Sequence, residues 1–319
     1  NSFVVSVHDT VIAGLLIAAL CAALGVSLLI QLLGHSVECL LHFLGCGLDG
    51  CGVGAGESGL QTLQLVLDLC LLSGIQLVAQ LLDGFLARFA AIEGKKILVH
   101  GGGKLASRLQ RELGQEVQMI DGRRVTDRQT LDVVTMVYAG LVNKQIVAKL
   151  QAAGCNAIGL SGADGNIVRA HRRVAKPIDY GFVGDIDEVD STMLRSLLEA
   201  GLTPVFSAIM HDGEGTLLNC NADSVTQAVA LGASRIAPTD LVFCFEKKGV
   251  LRDAEDESSV IERITPESYA TLKAEGIVSG GMIPKIENAL RAVAEGVRTV
   301  RIKHADDLLC EAGTTICNE

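Results

Sequence analysis

Two stretches of this chain place glycines directly ahead of a helical run, an arrangement suited to holding an anion. The first is Ile97-Leu98-Val99-His100-Gly101-Gly102-Gly103-Lys104. An apolar run meets three glycines, and a helix-forming segment comes after them. Without Cβ atoms the backbone can approach a ligand closely. The free N–H groups and the helix dipole then favour an anionic oxygen. A tight strand–helix turn alone needs fewer glycines. The spacing is not that of a Walker A loop, GxxxxGK[ST]. The second stretch is Ser279-Gly280-Gly281-Met282-Ile283-Pro284-Lys285. Its lysine falls in the first turn of a helix, where the dipole disfavours a cation. A phosphate lying between dipole and ammonium resolves that conflict. A solvated surface lysine is the plainer alternative.

Two further constellations are polar. Asn219-Cys220-Asn221-Ala222-Asp223 leads into a helix, and capping alone accounts for one or two of its polar residues but less well for three. Asp121-Gly122-Arg123-Arg124-Val125-Thr126 is a turn whose arginine can fork onto a carboxylate. No Ser/His/Asp or Cys/His triad is evident. The ten cysteines form no CxxC pair and no zinc-finger spacing, so no metal site is read from them. The cysteines from Cys155 onward read as reduced, in a cytoplasmic protein. Together the glycine-opened helix starts, the lysine and the arginine suit a transfer that needs alignment and charge stabilisation more than a covalent nucleophile.

The elements that would position these residues alternate between strand and helix. Lys96 to Val99 reads as a buried strand and Lys104 to Leu113 as a helix stopped by Gly114. Thr126 and Gln129 have capping-box spacing and open a helical region that reaches Ala153. Asn156 to Leu160 is a strand, Phe182 to Val189 a hairpin arm, Met193 to Leu198 a helix and Pro204 to Ile209 a strand. Ala222 to Leu231 is a helix ending at Gly232, and Leu241 to Phe245 a strand. Thr265-Pro266 and Pro284 mark helix starts, and Val297 to Ile302 is a late strand. This alternation predicts an α/β fold with a mainly parallel sheet covered on both faces.

The chain has 319 residues and a formal net charge of -10. That acidity argues against a nucleic-acid partner, which needs a basic face. Its distribution is uneven. No Lys or Arg precedes Arg88, the first of the 27. Residues 1–80 are an atypical hydrophobic segment. Val11 to Ile30 is long and apolar enough to span a bilayer, and a second apolar stretch runs from Leu60 to Leu82. No basic flank sets an orientation and no basic region marks a secretory signal. The preferred reading is a segment that is not the natural start of the protein. A membrane anchor is the alternative.

From about Leu81 to Glu319 the chain resembles the amino-acid kinase family. The motifs that carry the resemblance are VHGGG, GRRVT, LVNK (Leu141–Lys144), GLSGADG (Gly159–Gly165), GFVGDI (Gly181–Ile186), LNCNAD (Leu218–Asp223), EKKGVL (Glu246–Leu251) and GGMIPK (Gly280–Lys285). Within the family it is most similar to the branch acting on N-acetyl-L-glutamate, with N-succinylglutamate as the alternative. The resemblance implies a three-layer sandwich around an open, mainly parallel central sheet, assembled as a homodimer. It implies transfer of the ATP γ-phosphoryl group to the side-chain carboxylate of an N-acyl-L-glutamate, with Mg²⁺ accompanying ATP, in arginine biosynthesis. Gly102 and Gly103 would offer N–H groups to the reacting carboxylate, and Arg124 and Asn219 would hold the α-carboxylate end. Lys285 would stabilise the transferred group and Asp223 would orient the catalytic lysines. Gly249, Val250, Leu251 and Gly281 would border the nucleotide.

The sequence departs from the family at one place. Members begin with a strand carrying Lys-x-Gly-Gly, whose lysine contacts the transferred group. Residues 1–80 hold no lysine. The first strand is therefore expected to be missing or replaced, and catalysis to be impaired. A non-catalytic, membrane-tethered metabolite-binding protein is the competing expectation.

Overall fold

The computed structural model describes residues 2–7, 82–120, 123–245, 247–253, 255–279 and 282–318. The chain divides into one unit of Asn1–Ala13 with Gly84–Glu319 and another of Gly14–Asp83. Apart from residues 82–83, the described residues belong to the first unit. The apolar stretches expected at Val11–Ile30 and Leu60–Leu82 lie, apart from Leu82, outside the described residues.

The first described element is a strand, β1 (Ser2–Val7). Residues 82–91 form helix α1. Then come β2 (Lys95–His100), α2 (Gly103–Glu112), β3 (Met119–Ile120) and β4 (Arg123–Arg124). One continuous helix, Arg128–Ala152, comes next in three parts. These are α3 (Arg128–Thr135), a π-helical segment (Met136–Val142) and α4 (Asn143–Ala152). The remainder is β5 (Ala157–Leu160), β6 (Val168–Arg172), β7 (Gly184–Val189), α5 (Ser191–Glu199), β8 (Thr203–Phe206), β9 (Ile209–His211), β10 (Leu217–Asn219), α6 (Ala222–Ser234), β11 (Thr239–Phe245), β12 (Arg263–Ile264), α7 (Pro266–Ala274), α8 (Met282–Ala294), β13 (Thr299–His304) and β14 (Thr314–Ile316).

Eight strands form the central sheet in the order β12-β14-β13-β11-β1-β2-β8-β5. Every pairing is parallel except β13 with β14. Helices cover both sides. A smaller sheet, β10-β9-β6-β7, and the β3–β4 pair complete the described strands. The expected first strand is replaced by β1, an apolar run without lysine. It lies between β2 and β11, with Ser6 opposite Val99 on one side and Phe243 on the other. Val4 and Val5 are fully buried, so this strand sits in the middle of the core. Side chains alternate along a strand. Val4 and Ser6 therefore share a face with Leu241 and Phe243, their register partners on β11.

The core reflects the apolar pattern of the elements. Val225, Val229, Ala230 and Ala233 of α6 and Ile286, Ala289 and Val293 of α8 pack with Leu241, Val300 and Ile302 of the sheet. Arg128–Ala152 is long and apolar enough to cross a membrane by length and composition. Its residues Leu131, Val134, Val137, Val142, Ile146 and Leu150 are nevertheless buried within the protein.

The local signals in the sequence mark most element ends to within a residue or so. Thr265 caps α7 and Ser268 completes a capping box, with Pro266 at the first position. The start expected from Thr126 and Gln129 lies one residue later: Asp127 is the N-cap, accepting from the Thr130 N–H. Thr126 is engaged elsewhere, because its hydroxyl donates to the Arg124 carbonyl and accepts from Asn219. Gly232 does not end α6. It lies inside the helix, where a Cβ would come within 2.7 Å of Val189. The strand expected over Pro204–Ile209 divides into β8 and β9, which belong to different sheets.

Candidate active site

At the C-terminal end of β2 the chain turns through Gly101 and Gly102 into α2. The N-terminal turn of this helix faces a pocket lined by Gly101, Gly103, Arg124, Tyr138, Asn219 and Cys220, among others. The structure thus brings together Gly103, Arg124 and Asn219, three of the four residues expected at the substrate. Gly102 lies behind them. A Cβ on it would stand 2.7 Å from the Tyr138 ring, so this position accepts no side chain as the ring now lies.

Arg124 reaches the pocket on β4 and is itself buried. Its guanidinium donates to Gln110 Oε1 at 2.5 Å, the Gly103 carbonyl at 2.8 Å and Ser107 Oγ at 2.7 Å. Those bonds engage three of its five donors. The GFVGDI stretch ties this arm to β10. The Thr126 N–H donates to the Tyr180 carbonyl, the Phe182 N–H to Thr126, and the Asn219 N–H to Phe182. Gly181 has φ 74°, and a Cβ there would lie 2.2 Å from the Thr126 carbonyl oxygen. Asn219 Nδ2 donates to Thr126 Oγ1 at 3.0 Å. The Asp121-Gly122 part of this turn lies outside the described residues.

Behind the glycine turn is a network made by the LVNK stretch. Asn143 Nδ2 donates to His100 Nε2 at 3.0 Å and to the Val205 carbonyl at 2.9 Å. His100 Nδ1 therefore carries the proton and donates to the Gly101 carbonyl at 2.7 Å. Burial is the main reason that the His100 pKa is pushed down to about 4; its bond to Gly101 opposes the shift and nearby Lys144 adds to it. Lys144 donates to Asn143 Oδ1 and to the Gly159 carbonyl.

The second pocket begins where the first ends. Ala222, at the start of α6, lines the first, and the next residue, Asp223, lines the second. Asp223 shares this second pocket with Gln227, Lys285, Asn288 and the apolar Leu241, Phe243, Phe245 and Ile302. Lys285 Nζ stands 4.1 Å from the centre of the Phe245 ring, a cation–π contact. Burial lowers the Lys285 pKa, and the Asp223 carboxylate pulls it back up. The ammonium is thus held on a mainly apolar floor, so an arriving anion gains from neutralising it. Gln227 Nε2 donates to the Asn288 carbonyl at 3.3 Å, joining α6 to α8. Glu287 of α8 accepts from Tyr269 and Lys273 of α7, each at 2.8 Å. The two expected catalytic residues, Lys285 and Asp223, are therefore presented by neighbouring, cross-tied helices.

The expected nucleotide residues are placed differently. Gly249 packs against Thr314, where a Cβ would lie 2.7 Å from Oγ1. The Val250 N–H donates to the same hydroxyl at 2.8 Å, and Leu251 bridges to Val260. None of the three lines either of the two pockets. Gly281 lies outside the described residues.

Residues 76–304 match the amino acid kinase family. The chain belongs to this family. It is 52% identical over 235 residues to an acetylglutamate kinase of Phocaeicola vulgatus, covering 74% of this chain and 91% of that one. An acetylglutamate kinase of Cytophaga hutchinsonii is 52% identical over 72% of this chain and 87% of its own. One of Methanopyrus kandleri is 43% identical over 71% of this chain and 93% of its own. Among solved structures, smu.665 from Streptococcus mutans superimposes with a TM-score of 0.64 at 24% identity, covering 100% of this chain and 99% of that one. An N-acetylglutamate synthase from Neisseria gonorrhoeae gives 0.67 at 18% identity, covering 100% of this chain and 59% of that one. These two likenesses concern the fold.

Some residues in or beside the two pockets are not singled out by sequence reading. Tyr138 reads only as one position in a helical spacing. Ser6 carries no sequence signal at all. Its hydroxyl accepts from Thr226 Oγ1 at 3.1 Å, one turn along α6 from Asp223. Its register partner Phe243 lines the second pocket. Cys220 is buried, and burial is the main reason that its thiol is pushed up to about 12. It lines the pocket as a neutral group.

Proposed function

We propose that this chain is an acetylglutamate kinase. In this reading it transfers the γ-phosphoryl group of ATP to the side-chain carboxylate of N-acetyl-L-glutamate, a step of arginine biosynthesis. The observation that carries the proposal is the meeting of two pockets at the start of α6. One holds backbone N–H groups, Arg124 and Asn219; the other holds Lys285 and Asp223. Identity of about half the residues to acetylglutamate kinases across most of their length supports the choice of substrate.

The division of labour comes from charge. Gly102 and Gly103 at the start of α2 present N–H groups to the attacking carboxylate. Arg124 and Asn219 hold the α-carboxylate end and fix the direction of attack. Lys285 faces the charge on the transferred group in a loose, charge-spreading transition state. Asp223 keeps the Lys285 ammonium protonated and oriented. Gly249 to Leu251, with Gly281, border the nucleotide. Among the described residues no group of three or more His, Cys, Asp or Glu forms a metal cluster, and Asp223 is the one carboxylate lining the second pocket among them. That suits Mg²⁺, which is usually held by one or two carboxylates plus substrate phosphates. When bound, it would neutralise phosphate charge, with Asp223 as its protein contact.

The central strand offers Ser6 at the place from which a lysine would reach the second pocket, so the reaction runs with one cation fewer. The protein works as a homodimer in the cytoplasm. Trapping the acyl phosphate with hydroxylamine tests the assignment. ATP-dependent hydroxamate is expected with N-acetyl-L-glutamate and not with free L-glutamate. Faster turnover of N-succinyl-L-glutamate would move the assignment to that acyl group, and no turnover of either would remove it. Sedimentation of the purified chain as a monomer would overturn the dimer.

A further inference from the structure

The helix Arg128–Ala152 changes its winding where it passes the glycine turn. Between Met136 and Val142 it is π-helical. The Asn143 N–H donates to the carbonyl of Tyr138, five residues back. In an α-helix, residues five apart point about 140° away from each other. A π turn brings them onto one side. The consequence is visible in two contacts. Tyr138 turns inward and only 5% of it is exposed. Its ring lies against Gly102, with ring carbons 2.7 and 3.0 Å from the point where a Cβ would be. Asn143 also turns inward and bonds His100 at 3.0 Å. This one stretch of helix therefore contacts both the residue before the glycine stretch, His100, and Gly102 in the middle of it. Tyr138 also lines the pocket beside Gly103, Arg124 and Asn219.

We propose that Tyr138, presented by this π turn, is a positioning residue that fixes Gly101–Gly103 so that their N–H groups meet the reacting carboxylate. The proposal rests on the acetylglutamate kinase reading for its catalytic consequence, but not for its structural one. A glycine triplet is the most permissive backbone in the chain. Left to itself it would sample many directions for its N–H groups. A flat ring pressed on Gly102 removes that freedom. A displacement of about 1 Å at such a site costs on the order of 10² in rate.

The test uses the full chain with Tyr138→Ala and Tyr138→Phe. Amide hydrogen exchange is monitored over residues 97–106 and, as a control, over β11 and β13. Steady-state kinetics with N-acetyl-L-glutamate are measured by hydroxamate trapping. In Tyr138→Ala, exchange at Gly101–Gly103 is expected to quicken at least about tenfold while β11 and β13 stay as protected as before. The kcat is expected to fall by about 10²-fold, with a much smaller change in KM. Tyr138→Phe is expected to recover most of both losses, because the ring and not the hydroxyl touches Gly102. Unchanged exchange at the turn in Tyr138→Ala overturns the proposal. So does a change confined to KM, which would make Tyr138 a pocket wall only. If the unaltered chain fails to turn over N-acetyl-L-glutamate, the loss falls on the function assignment, and the exchange measurement still decides the role of Tyr138.

Discussion

The two pockets that meet at α6 are built on opposite plans. In the first, the charged group is already satisfied by protein: Arg124 holds Gln110, Ser107 and the Gly103 carbonyl before any ligand arrives. In the second, the charged group waits. Lys285 lies over the Phe245 ring among Leu241, Phe243 and Ile302, with Asp223 as the opposing charge. A pre-tied arginine costs little to order when the substrate binds. A cation on an apolar floor gains most when charge develops opposite it, which is what lowers a barrier. Arg124 in the first pocket therefore suits recognition, and Lys285 in the second suits rate.

Lys285→Met separates the two plans most widely. It is expected to lower kcat by about 10²–10³-fold with little change in the KM for the acyl amino acid. A large rise in KM instead would place Lys285 in the wrong pocket's role. Ser6→Lys should act in the opposite direction. An added ammonium at the end of β1, beside Phe243 and Thr226, is expected to raise kcat by about tenfold or more. A stably folded variant with unchanged turnover would separate the strand from the chemistry. Arg124→Lys keeps the charge but cannot hold Gln110, Ser107 and Gly103 together. Its KM is expected to rise by about tenfold with kcat nearly kept, and its melting temperature to fall. Loss confined to kcat would undo the contrast between the pockets.

A further expected effect is one of pH on stability rather than on turnover. His100 is neutral in the fold, with its pKa lowered to about 4. In the unfolded chain the imidazole titrates near 6.5. Between these values the unfolded state binds the extra proton, so stability falls as pH falls through that window. The contribution is full above about pH 6.5 and its loss is of order 3 kcal/mol when complete. Denaturant midpoints between pH 7.5 and 4.5 check this. His100→Gln is expected to flatten the slope, and an equal slope in both proteins would show that other groups cause it.

Much of the candidate site is legible in the sequence for a physical reason. Gly101–Gly103, Arg124, Asn219, Asp223 and Lys285 sit at ends of strands and starts of helices, and such ends are marked by glycine, proline and capping residues. What escapes is hidden by length or context. Ser2–Val7 is six residues of apolar chain with more apolar chain beyond it, and a short apolar run does not declare its partner strands. The π turn spans seven residues, too few for a period near 3.6 to be told from a longer one. Gly249 packs against Thr314, which lies on a strand far later in the chain. Sequence spacing does not report such a contact.

The strand in the middle of the sheet carries a consequence for the making of the molecule. β1 is the first element of the described fold to be synthesised, yet both its neighbours come later, β2 at Lys95 and β11 at Thr239. At about 5–20 residues per second a ribosome takes roughly ten to fifty seconds to add the 240 or so residues between β1 and β11. Throughout that interval Val4 and Val5 lack the β11 side of their final pairing. The central sheet therefore closes only when its oldest residues meet some of its youngest.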